Sequence, residues 1–397
     1  MNIAIVGCGY VADYYLRSLP NYPDLNLVGV MDIDQERASR FAEYHSLFAY
    51  HTLEELLADP RVNIVVNLTN PKSHFSVSKA SLEAGKHVYS EKPLAMSFSE
   101  AEELVELAEK KGLYISSAPC NLLSETAQTV WNALQNKEIG RVFLAYAEID
   151  DGLVHRRSYQ KWLSDSGIPW PYKDEFEVGC TLEHAGYYVT WLTAFFGPAK
   201  TVTAFSSCLV SDKEIDVPLD VNAPDFSVAC IKFASGVVAR ITCSIIAPHN
   251  HSLQIFGDEG VLYVDDCWNY ASPVYIEPLQ TSKRRTFGER WRSISNKLAY
   301  FYKTLKNPKA KPLPTKKYPL VKEADYSHLT ALKMDFCRGI AELAEAIAQQ
   351  RCCRISARYS LHVNEIVLAI QNSLETGSSY TVTSSFEPIE PMPWAKP

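Results

Sequence analysis

The run Gly7-Cys8-Gly9-Tyr10-Val11-Ala12 spells GxGxxA between a short apolar segment and a helical one. That pattern suits a dinucleotide for physical reasons. Gly7 permits a tight turn, Gly9 lets the backbone approach a pyrophosphate, and Ala12 lets the following helix lie close to a sheet. The helix N-terminus, with Tyr10 and Val11 beside it, offers free N–H groups and partial positive charge to the phosphates. Asp32 closes the second apolar run, 20 residues beyond Ala12, where it would accept from a ribose hydroxyl. A carboxylate there repels a 2′-phosphate, and Ile33 rather than an arginine follows it, so NAD is favoured. Arg37 leaves NADP open.

Further motifs follow the next apolar runs: Thr69-Asn70-Pro71 with His74, then Glu91-Lys92-Pro93. A cation such as Lys92 beside a reacting hydroxyl stabilises developing alkoxide and lowers the pKa of a neighbouring acid/base. With the fingerprint, these residues resemble the glucose–fructose oxidoreductase / inositol dehydrogenase (Gfo/Idh/MocA) family of two-domain sugar oxidoreductases. Gly257-x-Glu259-Gly260 and Asp335-Phe336 with Ile340-Ala341-Glu342 extend the resemblance over roughly Asn2 to Gly377. It implies a Rossmann domain, then an open sheet that carries substrate and mediates oligomer contacts. It also implies an active-site Lys92, commonly joined to Pro93 by a cis bond, with Thr69, Asn70, Pro71, His74 and Glu91 around the cofactor.

Many members carry Asp-x-Gly-x-His-x-x-Asp on a helix. Here Glu183 takes the first Asp position, Tyr187 the His position and Thr190 the last. Some sugar-reducing members use Tyr as proton donor. A phenol with a pKa near 10 needs a nearby cation, which Lys92 would supply. Glu183 and Tyr187 are four apart and share a helix face, while His184, three from Tyr187, is a competing base. The plain alternative is that Tyr187 and His184 are packed, structural side chains. Arg156, Trp162, Trp170 and Lys173 are the substrate candidates, since ring faces suit a sugar and cations suit a phosphate or carboxylate. His249 and His251 lack an obvious carboxylate or Cys partner nearby in sequence, so no metal is expected.

The elements that must position these groups change character along the chain. Over residues 1–120, strand-like runs (Asn2–Val6, Leu27–Met31, Asn63–Leu68, His87–Tyr89, Leu113–Ser116) alternate with helical patterns, the clearest being Ser97–Lys111 before Gly112. That alternation predicts a parallel, doubly wound Rossmann sheet. Residues 121–377 read as an α+β domain with a large, open, mostly antiparallel sheet. Phe226–Phe233 and Val237–Ile245 form a hairpin with one covered face, interrupted upstream by a helix over Thr181–Phe196. Two helices are predicted within 328–376, at His328–Gln350 and Ala357–Thr376, and the proline-bearing tail 378–397 reads as an extended arm or disorder.

Composition sets the outer bounds. The formal charge is −7, yet residues 283–317 hold 12 Lys+Arg against Glu289 alone, leaving −18 for the remainder. A nucleic-acid binder is not expected on that balance. Within this basic insert an apolar stripe at helical period over residues 287–306 predicts an amphipathic helix that docks on its own sheet or a partner, lies on an anionic membrane, or stays solvated. Ten cysteines with no CxxC pair read as free thiols of a reducing cytoplasm, and neither a secretory signal nor a membrane span is evident. The expected function is NAD(P)-dependent hydride transfer to or from a sugar, inositol or nucleotide-linked sugar by a homo-oligomeric enzyme. An NAD-dependent glycosidase acting by transient oxidation, and a non-catalytic cofactor-binding protein, are the competing readings.

Overall fold

In the computed structural model, residues 1–279, 316–322, 326, 333–375 and 377–396 are described. Five short aliphatic runs pair in parallel: β1 (Asn2–Val6), β2 (Asn26–Met31), β3 (Ile64–Asn67), β4 (His87–Ser90) and β5 (Ile115–Ser117). The crossovers carry helices α1 (Ala12–Ser18), α2 (Gln35–His45), α3 (Leu53–Ala58), α4 (His74–Glu83) and α5 (Phe98–Lys111). Local chemistry sets their ends. The Asp34, Thr52 and Ser97 side chains accept backbone N–H groups at the starts of α2, α3 and α5, and Gly112 ends α5 at φ 65°. The sheet is apolar on both faces: Ile3 and Ile5 join one cluster, Ala4 and Val6 another. Its order is β2-β1-β3-β4-β5, so direction reverses between β1 and β3, where the carboxyl ends of the strands part and a ligand crevice opens.

The second sheet has nine strands in the order β13-β12-β11-β10-β6-β9-β8-β7-β14. They are β6 (Val142–Asp150), β7 (Ala199–Ser207), β8 (Phe226–Phe233), β9 (Val238–Ser244), β10 (Leu253–Gly257), β11 (Gly260–Val264), β12 (Val274–Pro278), β13 (Lys316–Tyr318) and β14 (Ser378–Thr381). All neighbours are antiparallel except β6 and β9. The predicted hairpin is β8–β9, and Val237, Ala239, Ile241, Cys243 and Ile245 are its buried face as expected. The same core takes in α6 (Glu125–Gln135), which meets β12, α8 (Gly186–Phe196), and α10 (Ala357–Gln371), which meets β7, β8 and α8, with Trp191 fully buried among them. A short helix α7 (Tyr172–Val178) and a π-helical turn (Thr181–Ala185) lead into α8, so the helix predicted over Thr181–Phe196 is wound wider in its first turn. Such turns recur at functional sites.

The chain then returns to the first sheet. Helix α9 (Arg338–Gln349) packs on β4 and β5, and its Ile340 and Leu343 join the core cluster of Ile3 and Ile5, although the sequence division grouped it with the second domain. A Cβ at Gly339 would lie 2.4 Å from the Tyr89 hydroxyl, so only glycine allows this approach. Half-buried Arg338 ties the two halves together by donating to Glu125 (3.0 Å) and to the Tyr326 hydroxyl (2.7 Å). The tail is ordered rather than loose: β14 pairs with β7, and Glu365 accepts from the Thr383 and Ser384 backbone N–H groups, both at 2.8 Å. The amphipathic pattern over residues 287–306 and the start of the helix predicted from 328 lie outside the described residues. Among described residues, no helix is long and apolar enough to cross a membrane, and the cysteines are free thiols.

Candidate active site

The crevice at the β1/β3 reversal is one end of a cleft of about 1330 Å³. Gly7 sits at φ 101°, and a Cβ there would lie 2.6 Å from the Leu68 carbonyl carbon. Gly9 has nothing within 4 Å of where its Cβ would stand, so it presents bare backbone to the cleft between Tyr10 and Val11. Ala12 is fully buried behind it, letting α1 lie on the sheet. Asp32 is held firmly: one oxygen accepts from the Cys8 N–H at 2.8 Å, the other from the Asp34 N–H at 2.9 Å. Each oxygen keeps a lone pair for a ligand hydroxyl. Exposed Ile33 forms the lip, while Arg37, 3.6 Å from Asp32, and Arg40 also line the cleft. Thr69, Asn70, Pro71 and His74 form the facing wall. The two nitrogens of buried His74 face the carbonyls of Pro93 (2.7 Å) and Thr69 (3.0 Å), which fixes that wall against the Lys92–Pro93 turn. Lys92–Pro93 is cis, as the resemblance implied. An open cradle at Gly9, a turn that only glycine fits at Gly7 and a buried acceptor at Asp32 suit a dinucleotide.

At the other end Lys92, Glu183 and Tyr187 line the same cleft. Glu91 orients the turn, accepting from Tyr15 (2.7 Å) and from the Lys92 N–H (3.0 Å). The Lys92 ammonium is ion-paired directly with Glu183, whose side chain is 5% exposed. Burial disfavours the charge on Lys92, but its neighbouring carboxylates, Glu183 above all, overcome it and raise its pKa. Burial likewise opposes ionisation of Glu183, and the neighbouring Lys92 outweighs it, so its pKa falls. Glu175, on α7, is hydrogen-bonded to Glu183; burial and that carboxylate push it well above the ordinary range, so it holds a proton. Burial also raises the Tyr187 phenol against the pull of Lys92, so Tyr187 is a proton donor at rest. Its ring packs edge-on against Trp268 at 5.5 Å. His184 lines the cleft on a different partner: Nε2 is 3.1 Å from Asp151, and burial lowers its pKa.

The structure corrects two expectations. Arg156 turns outward, 61% exposed and 3.6 Å from Glu214, while its neighbour Arg157 lines the cleft. Trp162 and Trp170 do form a wall, 5.1 Å apart, with Lys173 beside them held at 2.9 Å by Asp220. The missing carboxylate partner of His249 and His251 is Asp151, 100 residues earlier, 3.0 Å from His251. Glu175 and Asp151 are the functional residues that sequence reading passed over. The signal for Glu175 was a cluster of acids just before Gly179, and for Asp151 a paired acid at the end of a long apolar strand.

Comparison with known proteins agrees with this geometry. Residues 1–118 match the Gfo/Idh/MocA model described as an oxidoreductase family with an NAD-binding Rossmann fold, and residues 127–263 match the Gfo/Idh/MocA C-terminal domain. The chain belongs to the Gfo/Idh/MocA oxidoreductase family. It is 26% identical over 276 residues to an uncharacterized oxidoreductase of Synechocystis sp., covering 66% of this chain and 71% of that one. It is 25% identical to the trans-1,2-dihydrobenzene-1,2-diol dehydrogenase of Macaca fuscata fuscata, covering 66% and 74%. The WlbA dehydrogenase from Bordetella pertussis, solved with NADH and UDP-GlcNAcA, superposes with a TM-score of 0.68 at 17% identity over 96% of this chain and 98% of that one. As a family member the chain is an oxidoreductase with a nicotinamide-dinucleotide domain, and the fold is the one predicted.

Proposed function

We propose that the protein transfers hydride between NAD and a carbinol or keto carbon of a sugar, inositol or nucleotide-linked sugar. One observation carries this reading: the Lys92–Glu183 ion pair and the protonated Tyr187 meet the dinucleotide cradle within a single cleft. Bound nicotinamide supplies the hydride acceptor or donor. The chain's own residues handle the proton. In reduction Tyr187 donates to the developing alkoxide, and in oxidation it takes the carbinol proton. Lys92 stabilises whichever oxygen carries the charge, and Glu183 holds that ammonium in place. Trp162 and Trp170 offer ring faces, and Arg157 supplies a cation beside them. Relatives are dehydrogenases, one acting on a dihydrodiol and one solved with a nucleotide-linked sugar, which supports a polyhydroxylated substrate.

The test is NADH formation on a panel of sugars, inositols, diols and nucleotide-sugars, followed by Lys92→Ala and Tyr187→Phe. Each variant should lose about 10²–10³ in kcat, the usual effect of removing a charge stabiliser or acid/base. Activity within threefold of the unaltered protein in both would sink the assignment.

A further inference from the structure

Beside the hydride-transfer machinery, the cleft has a second chemical centre that this reaction does not use. Asp151 follows directly on the last residue of β6, and its carboxyl is the hub of three imidazoles. One oxygen faces His251 Nε2 at 3.0 Å and His249 Nδ1 at 3.9 Å. The other faces His184 Nε2 at 3.1 Å. The His249 and His251 rings are 4.2 Å apart. Among the described residues, Asp151, His249 and His251 are the group whose donor atoms all lie within 4.8 Å of one another.

We propose that Asp151, His249 and His251 bind a divalent cation of the zinc class on the wall of the substrate cleft. Three features of the geometry carry this. First, tetrahedral ligands at 2.0–2.1 Å from an ion stand about 3.3 Å apart, and the separations from the shared Asp151 oxygen bracket that value. Second, the far nitrogen of His251 is buried without a hydrogen bond, and the Asp266 carboxyl, 3.5 Å away, is the group placed to take one. A carboxylate behind a histidine is the usual support for a metal-binding imidazole, fixing its tautomer and raising its basicity. Third, the group has both a rigid floor and an entrance. His251 is fully buried, packed edge-on against Trp268 at 4.3 Å, whereas His249 is 57% exposed. Two imidazoles and one carboxylate leave a zinc-class ion at least one open position, which would take a substrate or water oxygen. Asp151, His184 and Trp268 line the cleft with Lys92 and Tyr187, while His249 and His251 stand behind that wall, so the ion would be joined to the cleft through Asp151.

The test reads metal binding directly, without substrate, so its outcome is independent of the hydride-transfer reading. Full-length protein stripped with chelator is titrated with Co²⁺, followed by its visible absorption, and with Zn²⁺ by calorimetry. One equivalent should bind each protein, with the strong visible bands of a four-coordinate cobalt centre. His249→Ala, at an exposed position that leaves the fold intact, should weaken binding at least 100-fold. Asp266→Asn should weaken it about 10–100-fold, the effect of losing a carboxylate behind a ligand. If cobalt binds more weakly than millimolar, gives no such bands, or binds His249→Ala as well as the unaltered protein, the site does not exist and the cluster is a proton-linked network only.

Discussion

Removing Lys92 should make the protein's stability depend on pH in a way that can be worked out in advance. Lys92→Met deletes the cation paired with Glu183, whose side chain is 5% exposed and hydrogen-bonded to the protonated Glu175. A lone buried carboxylate is costly, so Glu183 takes a proton instead. Its ordinary pKa is 4.5. Protonating it at pH 7.5 therefore costs at most about 4 kcal/mol, and at pH 5.5 about 1.4 kcal/mol, at 1.36 kcal/mol per unit. A folded-state pKa raised above the unfolded value means stability is lost as pH rises. Urea unfolding of Lys92→Met should thus show a deficit of up to about 4 kcal/mol at pH 7.5 that shrinks by about 2.7 kcal/mol at pH 5.5. Lys92→Met with Glu183→Gln leaves neither charge and should recover most of the stability at both pH values while remaining inactive. Equal deficits at the two pH values, or a deficit that persists in the double variant, would refute the charge-pair argument.

Three other outcomes follow from the same kind of reasoning. Buried His362 accepts from the Ala199 N–H at 2.9 Å, and burial holds its pKa down to about 4 against an ordinary 6.5. Folded protein therefore resists a proton that the unfolded chain takes up below 6.5, so stability falls by about 2 kcal/mol between pH 7.5 and 5; His362→Asn should remove that share of the slope, and an unchanged slope counts against it. Asp32→Ala removes a buried negative charge from the ribose end of the cleft, where Arg37 and Arg40 remain. The NADP-to-NAD ratio of kcat/KM should rise about tenfold or more, and a constant ratio would show that Asp32 only braces the loop. Gly339→Ala would push a methyl to 2.4 Å from the Tyr89 hydroxyl, so it should cost about 1–3 kcal/mol of stability, and an unmoved urea midpoint would contradict this packing.

The first domain was legible because its signals are local. Strand runs and the helix that stops at Gly112 are each decided by a few neighbouring residues, and their bounds fall within two residues of expectation. The fingerprint likewise needs only strand, turn and helix. The helix α6 was passed over although its sequence is amphipathic, and its polar face is buried as well: Thr126, Gln128 and Thr129 find hydrogen-bond partners inside the protein. Arg156 and Arg157 show the limit of composition, since adjacent arginines point opposite ways and only the backbone decides which meets the cleft. The carboxylate beside His251 was not legible for a topological reason. Parallel pairing of β6 with β9 sets Asp150 opposite Ser244 and Asp151 just beyond it, and His251 follows only after the next turn, so the sequence around His249 does not contain this carboxylate.

The charge state of the catalytic end follows from those same long-range contacts. Lys92 and Glu183 pair, Glu175 holds a proton, and Tyr187 keeps its own, so among these four groups no charge is left without a partner. A neutral carbinol or ketone enters such a site without leaving any charge unpaired. A histidine at the Tyr187 position would add a second titrating cation beside Lys92, and the ammonium would oppose its protonation. The phenol avoids that conflict, being neutral when protonated and stabilised by Lys92 when it is not. Glu183 in place of the shorter aspartate is long enough to bridge both Lys92 and Glu175. The two departures from the common family pattern are therefore coupled through Lys92. Glu183→Asp should loosen the ammonium and lower kcat, while Tyr187→His should shift the pH profile of kcat toward acid. Unchanged profiles in both would show that the two positions act independently.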